Sequence, residues 1–164
     1  MRNYSITNLE QSKRLFYAGL KFRTADYIVD STFSKVESVM NVIEKPIRIE
    51  SSSDLKKAET SKYMSVAWSL GKLIHMLPDS IPSAYDEDNN EVADGEPMDF
   101  NLVIGRNSIR YVSDNGVCRL SASGACLLDA AVDMMEKILK ESYYLYDNNG
   151  KDEWYDEYYT TKRK

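Results

Sequence analysis

Phe100–Lys140, FNLVIGRNSIRYVSDNGVCRLSASGACLLDAAVDMMEKILK, decides the fold. Phe100, Leu102 and Ile104 alternate with polar or outward positions, the period of a strand with one face on a core. Ile109 and Tyr111 repeat the pattern, and Val117 to Ala122 give a third segment. Asp114-Asn115-Gly116 joins the last two segments. Asn-Gly is the strongest short hairpin signal, because both central residues of its turn take positive φ. Gly105-Arg106-Asn107 is a weaker turn between the first two. The spacing then changes from two to 3.6. Leu128, Ala131, Val132, Met135, Ile138 and Leu139 form one stripe, which predicts a helix over 125–142. On its far side Asp133–Lys137 and Glu136–Lys140 are acid-first i,i+4 pairs. A meander over 99–122 followed by a helix that packs across it is an α+β arrangement, not a βαβ repeat.

Upstream, Thr7-x-x-Glu10 has capping-box spacing and opens a helix over 8–18. Leu9, Ser12, Phe16 and Leu20 fall near one face. Gly19 is placed to stop the helix in the left-handed conformation, with Leu20 then reaching Leu15. Ser34 to Glu44 carries two conflicting signals. Val36, Val39, Met40 and Ile43 have helical spacing and Ser34-x-x-Glu37 is a second capping pattern, yet three of the four are β-branched. The periodicity predicts a helix ended by Pro46. Ile47 to Glu50 alternates as a short strand, and Ser51-Ser52-Ser53 reads as loop. Ser69 fits the N-cap of a helix over 69–77, with Trp68 and Leu73 as a hydrophobic staple and Pro78 as the stop. Residues 82–98 read as loop. The expected fold is α+β: one small antiparallel sheet of three to four strands packed against helices 8–18, 69–77 and 125–142. One domain spans 1–142, and 143–164 forms a tyrosine-rich tail.

Composition narrows the chemistry. A chain of 164 residues buries about 70% of its unfolded surface and needs neither metal nor disulfide to fold. Two cysteines exclude a disulfide scaffold. No run approaches the roughly 18 apolar residues of a membrane helix, and MRNYSITNLEQ lacks a signal-peptide core. A soluble, cytoplasmic protein is expected. The net charge of −5 is concentrated. Residues 79–99 hold eight acids and no Lys or Arg, leaving 18 acids against 21 bases elsewhere. The basic cluster Lys162-Arg163-Lys164 is too small for the phosphate neutralisation that nucleic-acid binding requires.

The catalytic motifs are missing. A His-dependent triad would have to use His75, which points away from the apolar face of its helix. His75, Cys118 and Cys126 are too few and too far apart for structural zinc, and both cysteines read as small buried apolar residues. Asp86, Asp88 and Asn90 match the first, third and fifth ligands of an EF-hand loop. Glu91 stands where glycine is required and Pro97 where the bidentate acid is required, so a solvated acidic loop is the better reading. Neither a P-loop nor GxGxxG is present. Ser121-Ala122-Ser123-Gly124 ahead of a helix suits ordinary capping better than anion binding. No catalytic residue, metal or cofactor is assigned.

TNLEQSKRLFYAGL followed by TAD, then AWSLGKLIHMLP, then LLDAAVDMMEKIL, resembles a set of small uncharacterised proteins of gut-bacterial phages and mobile elements. The matching residues are Gln11, Ser12, Leu15, Gly19, Leu20, Thr24, Ala25, Asp26, Trp68, Ser69, Leu70, Leu77, Pro78, Asp129, Ala130 and Met134. About half the chain is covered. The stretch between Asp26 and Trp68 and the tail depart from the pattern. The resemblance implies a cytoplasmic accessory protein and transfers no catalytic residue. It leaves Trp68, Ser69 and Asp129 as structural signposts.

Two segments stand out. One is the acidic loop, with Asp86, Glu87, Asp88 and Glu91. The other is the tail, where Trp154, Tyr155, Tyr158 and Tyr159 lie within six residues. Tyr and Trp are enriched at interfaces because they give large contact area at low entropy cost. The expected function is a non-enzymatic module that binds a protein partner through these residues. One alternative is a nucleotide-like ligand, with phosphates held by Arg106, Arg110 and Arg119. Another is a self-associating structural component.

Overall fold

Helix α4 (Leu127–Lys140) is where the layers meet. Leu128, Ala130, Ala131, Val132, Met134, Met135 and Ile138 are all buried, so the helix is covered on more than the single stripe of a surface helix. The structure, a computed structural model, describes residues 5–36, 39–60, 64–82, 99–141, 143 and 145. Within these lie four helices and two antiparallel sheets, an α+β fold.

The sheet beneath α4 has the order β4-β5-β6-β7: β4 (Ser80–Pro82), β5 (Asp99–Ile104), β6 (Ser108–Val112) and β7 (Cys118–Ser123). Ile81, Phe100, Ile109, Tyr111 and Ala122 face inward and are buried. Ile81 pairs with Phe100, Ile109 with Ala122 and Tyr111 with Leu120, so the inward residues line up across the strands. The Tyr111 hydroxyl donates to Pro78 O at 2.7 Å, which satisfies the polar end of a ring with no exposed surface. The β6–β7 turn differs from the sequence expectation. Gly116 takes φ +85°, its N–H bonds Ser113 O, and Ser113 N–H bonds Val117 O. The loop is therefore three residues, Asp114–Gly116, with its last residue left-handed, rather than a two-residue turn.

The meander is as expected; the second sheet is a correction. The segment 34–44 is not helical. It belongs to a long hairpin of β1 (Tyr27–Val36) and β2 (Val39–Arg48), and β3 (Met64–Ala67) adds to β1, giving the order β2-β1-β3. The β-branched content of Ile28, Val29, Thr32, Val36, Val39, Val42 and Ile43 outweighs an accidental helical spacing. Pro46 does not end a helix; it sits inside β2, opposite Val29, on the strand that is the sheet's edge among the described residues, where its missing N–H is tolerated. Ser52 and Ser53, read as loop, open helix α2 (Ser52–Thr60). Asp54 anchors that start by accepting from Glu50 N–H at 3.1 Å and Ser51 N–H at 3.2 Å.

Helix α1 (Leu9–Ala18) begins one residue later than the Thr7 box implies. Asn8 is the cap and Gln11 completes the box, each side chain bonding the other's backbone N–H. This rotates Leu9 to the surface and turns Ser12 and Leu15 inward. Gly19 closes the helix at φ 114°, with Leu20 N–H on Leu15 O as expected. Helix α3 (Leu70–Met76) is capped by Ser69, whose Oγ accepts from Lys72 N–H. Trp68 and Leu73, the staple pair, are fully buried.

After α4 the chain remains on the core. Tyr143 N–H bonds Ile138 O, Tyr143 packs against the core and Leu145 is 2% exposed. Leu145→Ala is expected to lower unfolding free energy by about 2–5 kcal/mol, the range for removing a buried Leu side chain. Tyr17→Ala, at a residue 68% exposed, should change it by less than about 0.5 kcal/mol. Urea titration measures both. At α2, the Glu50 N–H and then the Ser51 N–H hold the Asp54 carboxyl below its ordinary value of 3.8. Its anchoring is therefore complete above that value and is lost as pH falls through the lower native one. The protection of the Glu50 and Ser51 amides against exchange, relative to the intrinsic rate at each pH, should fall only in that acidic window, and Asp54→Asn should abolish that fall.

Candidate functional site

The densest polar constellation among the described residues surrounds Trp68. Thr7 Oγ1 lies 2.8 Å from Ser12 Oγ and accepts from Trp68 N–H at 2.9 Å. Thr7 N–H in turn donates to Trp68 O, and Leu70 N–H donates to Ser5 O. The indole Nε1–H donates to Thr24 Oγ1 at 2.9 Å, and Thr24 Oγ1–H donates to Lys21 O at 2.6 Å. Asp26 receives both Ser69 N–H at 2.7 Å and Ser69 Oγ–H at 2.5 Å. Gln11 Nε2–H reaches Asp129 Oδ1 at 2.7 Å, joining α1 to the first turn of α4.

Seven of the residues that carry the resemblance take part: Gln11, Ser12, Thr24, Asp26, Trp68, Ser69 and Asp129. The structure gives each a hydrogen-bonding role at a helix start or turn. Ser69 resembles an activated nucleophile only in having a carboxylate partner. Its Oγ also accepts from Lys72 N–H, which is the work of a cap. His75 is exposed, on the far side of α3. The start of α4, weighed as an anion site, carries the acid Asp129 in its first turn. That acid uses the helix dipole itself and repels an anion. Sequence reasoning placed Trp68 and Ser69 correctly as staple and cap. It singled out Thr7 as a helix cap and Thr24 and Asp26 as part of the resemblance, but missed that they are the hydrogen-bond partners of Trp68 and Ser69.

A second cluster crosses from α1 to α4. Arg14 pairs bidentately with Glu136, with Nε on Oε1 and Nη2 on Oε2, both at 2.9 Å, and reaches Asp133 Oδ1 at 2.7 Å. The hydrogen bonds from Glu136 and then Asp133 hold the guanidinium pKa above its ordinary value. The acid-first pairs expected within α4 are thus replaced, since both acids turn to Arg14. Lys137 instead donates to Ser121 O on β7. That lysine covers the outer edge of the sheet.

The three arginines of the ligand reading do not all converge: Arg110 and Arg119 lie on adjacent strands within two positions of each other, and Arg106 stands apart. Arg106 is exposed in the β5–β6 turn. Arg110 is exposed on the outward face of β6, opposite Val103 and Ser121. Arg119 sits near the start of β7 and lies 3.8 Å from Glu141. Along the strands Arg106 and Arg119 are about five residues apart, roughly 17 Å at 3.3 Å per residue. The cysteines also differ from expectation. Cys118 is exposed, at the strand end beside the register shift between Tyr111 and Val112, and Cys126 is a half-buried N-cap. Among the described residues no group of three or more His, Cys, Asp or Glu could hold a metal ion, and no helix is long and apolar enough to cross a membrane.

Asp86, Glu87, Asp88 and Glu91, and Trp154, Tyr155, Tyr158 and Tyr159, lie outside the described residues. The points where their segments join the fold are described. The acidic segment connects Pro82 to Asp99, which face each other across β4 and β5. The tail follows Leu145. Gly124 N–H bonds Asn107 O at one end of the sheet, and Glu141 meets Arg119 at the other, so α4 runs back along β7. Cys118, beside Arg119, pairs with Val112, and Val112 pairs with Asn101, two residues from Asp99. The acidic segment and the tail are rooted at the same end.

The class this defines is a two-sheet α+β protein with a buried structural junction at one end and the roots of both anomalous segments at the other. No family model, curated protein or solved structure matches the chain. Thr24→Val removes the acceptor of the buried indole N–H and should cost about 1–3 kcal/mol. In a Trp68→Phe background the same change should cost at least about 1 kcal/mol less. A double-mutant cycle by chemical denaturation reads the difference.

Proposed function

We propose that this protein is a non-enzymatic interaction module that binds a protein partner through the acidic segment and the aromatic tail together. In this reading it is a phage or mobile-element accessory factor acting in the cytoplasm on a phage or host protein. The single observation that carries the reading is the common root of the two segments. The acidic one leaves between Pro82 and Asp99, and the tail leaves past the end of α4, at the same end of the sheet. A partner lying across that end meets both. The acids supply attraction to a basic surface, and the aromatics supply the desolvated anchors that dominate binding energy.

Two full-length variants test it. One replaces Asp86, Glu87, Asp88 and Glu91 with their amides. The other replaces Trp154, Tyr155, Tyr158 and Tyr159 with Ser. Affinity-purified partner from the native cells is expected to bind the parent chain. The amide variant should bind at least 10-fold more weakly with a flatter salt dependence. The Ser variant should bind at least 10-fold more weakly with the salt dependence unchanged. Both should keep the parent's melting temperature. A partner retained equally by both variants sinks the reading.

A further inference from the structure

We propose that the outer edge of β2 is a homodimer interface, where β2 pairs antiparallel with β2 of a second copy about a two-fold axis at Val42. The two sheets then merge into one of order β3-β1-β2-β2-β1-β3. The inference stands apart from the partner reading above and survives its failure.

The starting point is an imbalance in the first sheet. Among the described residues, strand β1 pairs with β2 from Tyr27 to Val36 and with β3 from Tyr27 to Asp30. Beyond Asp30, among the described residues, the hairpin continues as two strands, Ser31–Val36 against Val39–Glu44, for about 20 Å at 3.4 Å per residue. Isolated two-stranded ribbons are marginal in water, and a third strand is what stabilises them. Among the described residues β2 is the edge of this sheet.

The backbone parity of that edge is fixed. Ile49 N–H bonds Asp26 O at 2.9 Å, so odd-numbered residues of β2 hydrogen-bond to β1. Met40, Val42, Glu44, Pro46 and Arg48 therefore direct their backbone groups outward. Pro46 belongs to the outward set, where it has no N–H to offer, and it blunts the base of the edge. Met40, Val42 and Glu44 remain open. The stretch Val39–Ile43 contains none of the charges or prolines that usually protect an edge.

A second copy is the occupant that this edge fits. A two-fold axis at Val42 sets Val42 opposite Val42 and Met40 opposite Glu44, so every open outward residue meets an outward residue. Val39 faces Lys45, no like charges oppose, and Pro46 falls beyond the stretch that matters. Sliding the pairing two residues toward the base sets Met40 against Pro46 and forfeits a bond. Sliding it one residue sets outward groups against inward ones.

The test uses the full chain. Light scattering after size exclusion at about 100 µM should give the mass of two chains, since any dimer tighter than about 10 µM is then mostly assembled. Val42→Pro deletes one outward N–H, as Pro46 already does, and should shift dissociation at least 10-fold toward monomer. Asn41→Pro strikes the β1-facing set and should lower the melting temperature instead. Register is read independently by cysteine pairing in a Cys118→Ser background. Val42→Cys should oxidise to a covalent dimer, because hydrogen-bonded partners lie about 5.5 Å apart at Cα. Lys45→Cys, whose copies stand far apart, should not. A monomeric parent, a Val42→Pro dimer of unchanged strength, or absence of the Val42→Cys cross-link overturns the proposal.

Discussion

The hydrogen bond from the Trp68 indole to Thr24 is the contact on which the rest of the body depends. A ring with no exposed surface cannot leave its N–H unpaired without a cost of about 1–3 kcal/mol. Thr24 must therefore be held in place, and the short turn Phe22–Thr24 holds it. That turn follows directly from the Gly19 helix stop and leads directly into Asp26, which takes both donors of Ser69. The end of α1, the start of β1 and the start of α3 are thus fixed by neighbouring bonds. Thr7 adds the entry to α1, donating its N–H to Trp68 O and accepting Trp68 N–H at Oγ1. Gln11 extends the same network to α4. Apolar burial supplies the bulk of the stabilisation, but it is non-directional. The junction is what selects one arrangement of these elements.

Much of this was legible where the signal is local. The β6–β7 hairpin, α4 and α3 each announce themselves within about ten residues, through alternation, a continuous stripe, or a cap and a proline. The first sheet was not legible for a physical reason. In Ser34–Glu44 the valines and isoleucine satisfy a helical spacing and a strand preference together, and only the pairing partner decides. Tyr27–Val36 supplies that partner, and no local rule reveals it. Helix α2 was hidden because among its described side chains it buries only Leu55 and Ala58, and it opens with Ser52 and Ser53 straight after Ser51, a composition that also suits a loop. Its start depends on Asp54 reaching back to Glu50 and Ser51.

The same division applies to the candidate site. The acidic run and the clustered tail aromatics were visible as compositional anomalies. Their common root was not, because it follows from the direction of α4 along β7 and from the pairing of Pro82 with Asp99. The arginines illustrate the converse. Arg106, Arg110 and Arg119 are close in sequence and alike in charge, yet successive strands and a turn spread them along the sheet. Proximity in a meander does not make a cradle.

The arrangement separates two demands. Gln11 bonds Asp129 in the first turn of α4, and Arg14 reaches Asp133 and Glu136 further on, so α1 runs in the same direction as α4. The junction built on Thr7 and Trp68 therefore lies near the N-terminal end of α4. The acidic segment and the tail are rooted near its C-terminal end, about 20 Å away for a helix of 14 residues. Loop-closure cost grows only with the logarithm of length. A long acidic connection between two paired strands is therefore tolerated at little expense to the fold. Charge placed there also leaves the desolvated hydrogen bonds at the other end undisturbed, because surface charges beyond about 10 Å are largely screened. Sequence at one end can be shaped by what it contacts, while the other end keeps the fold.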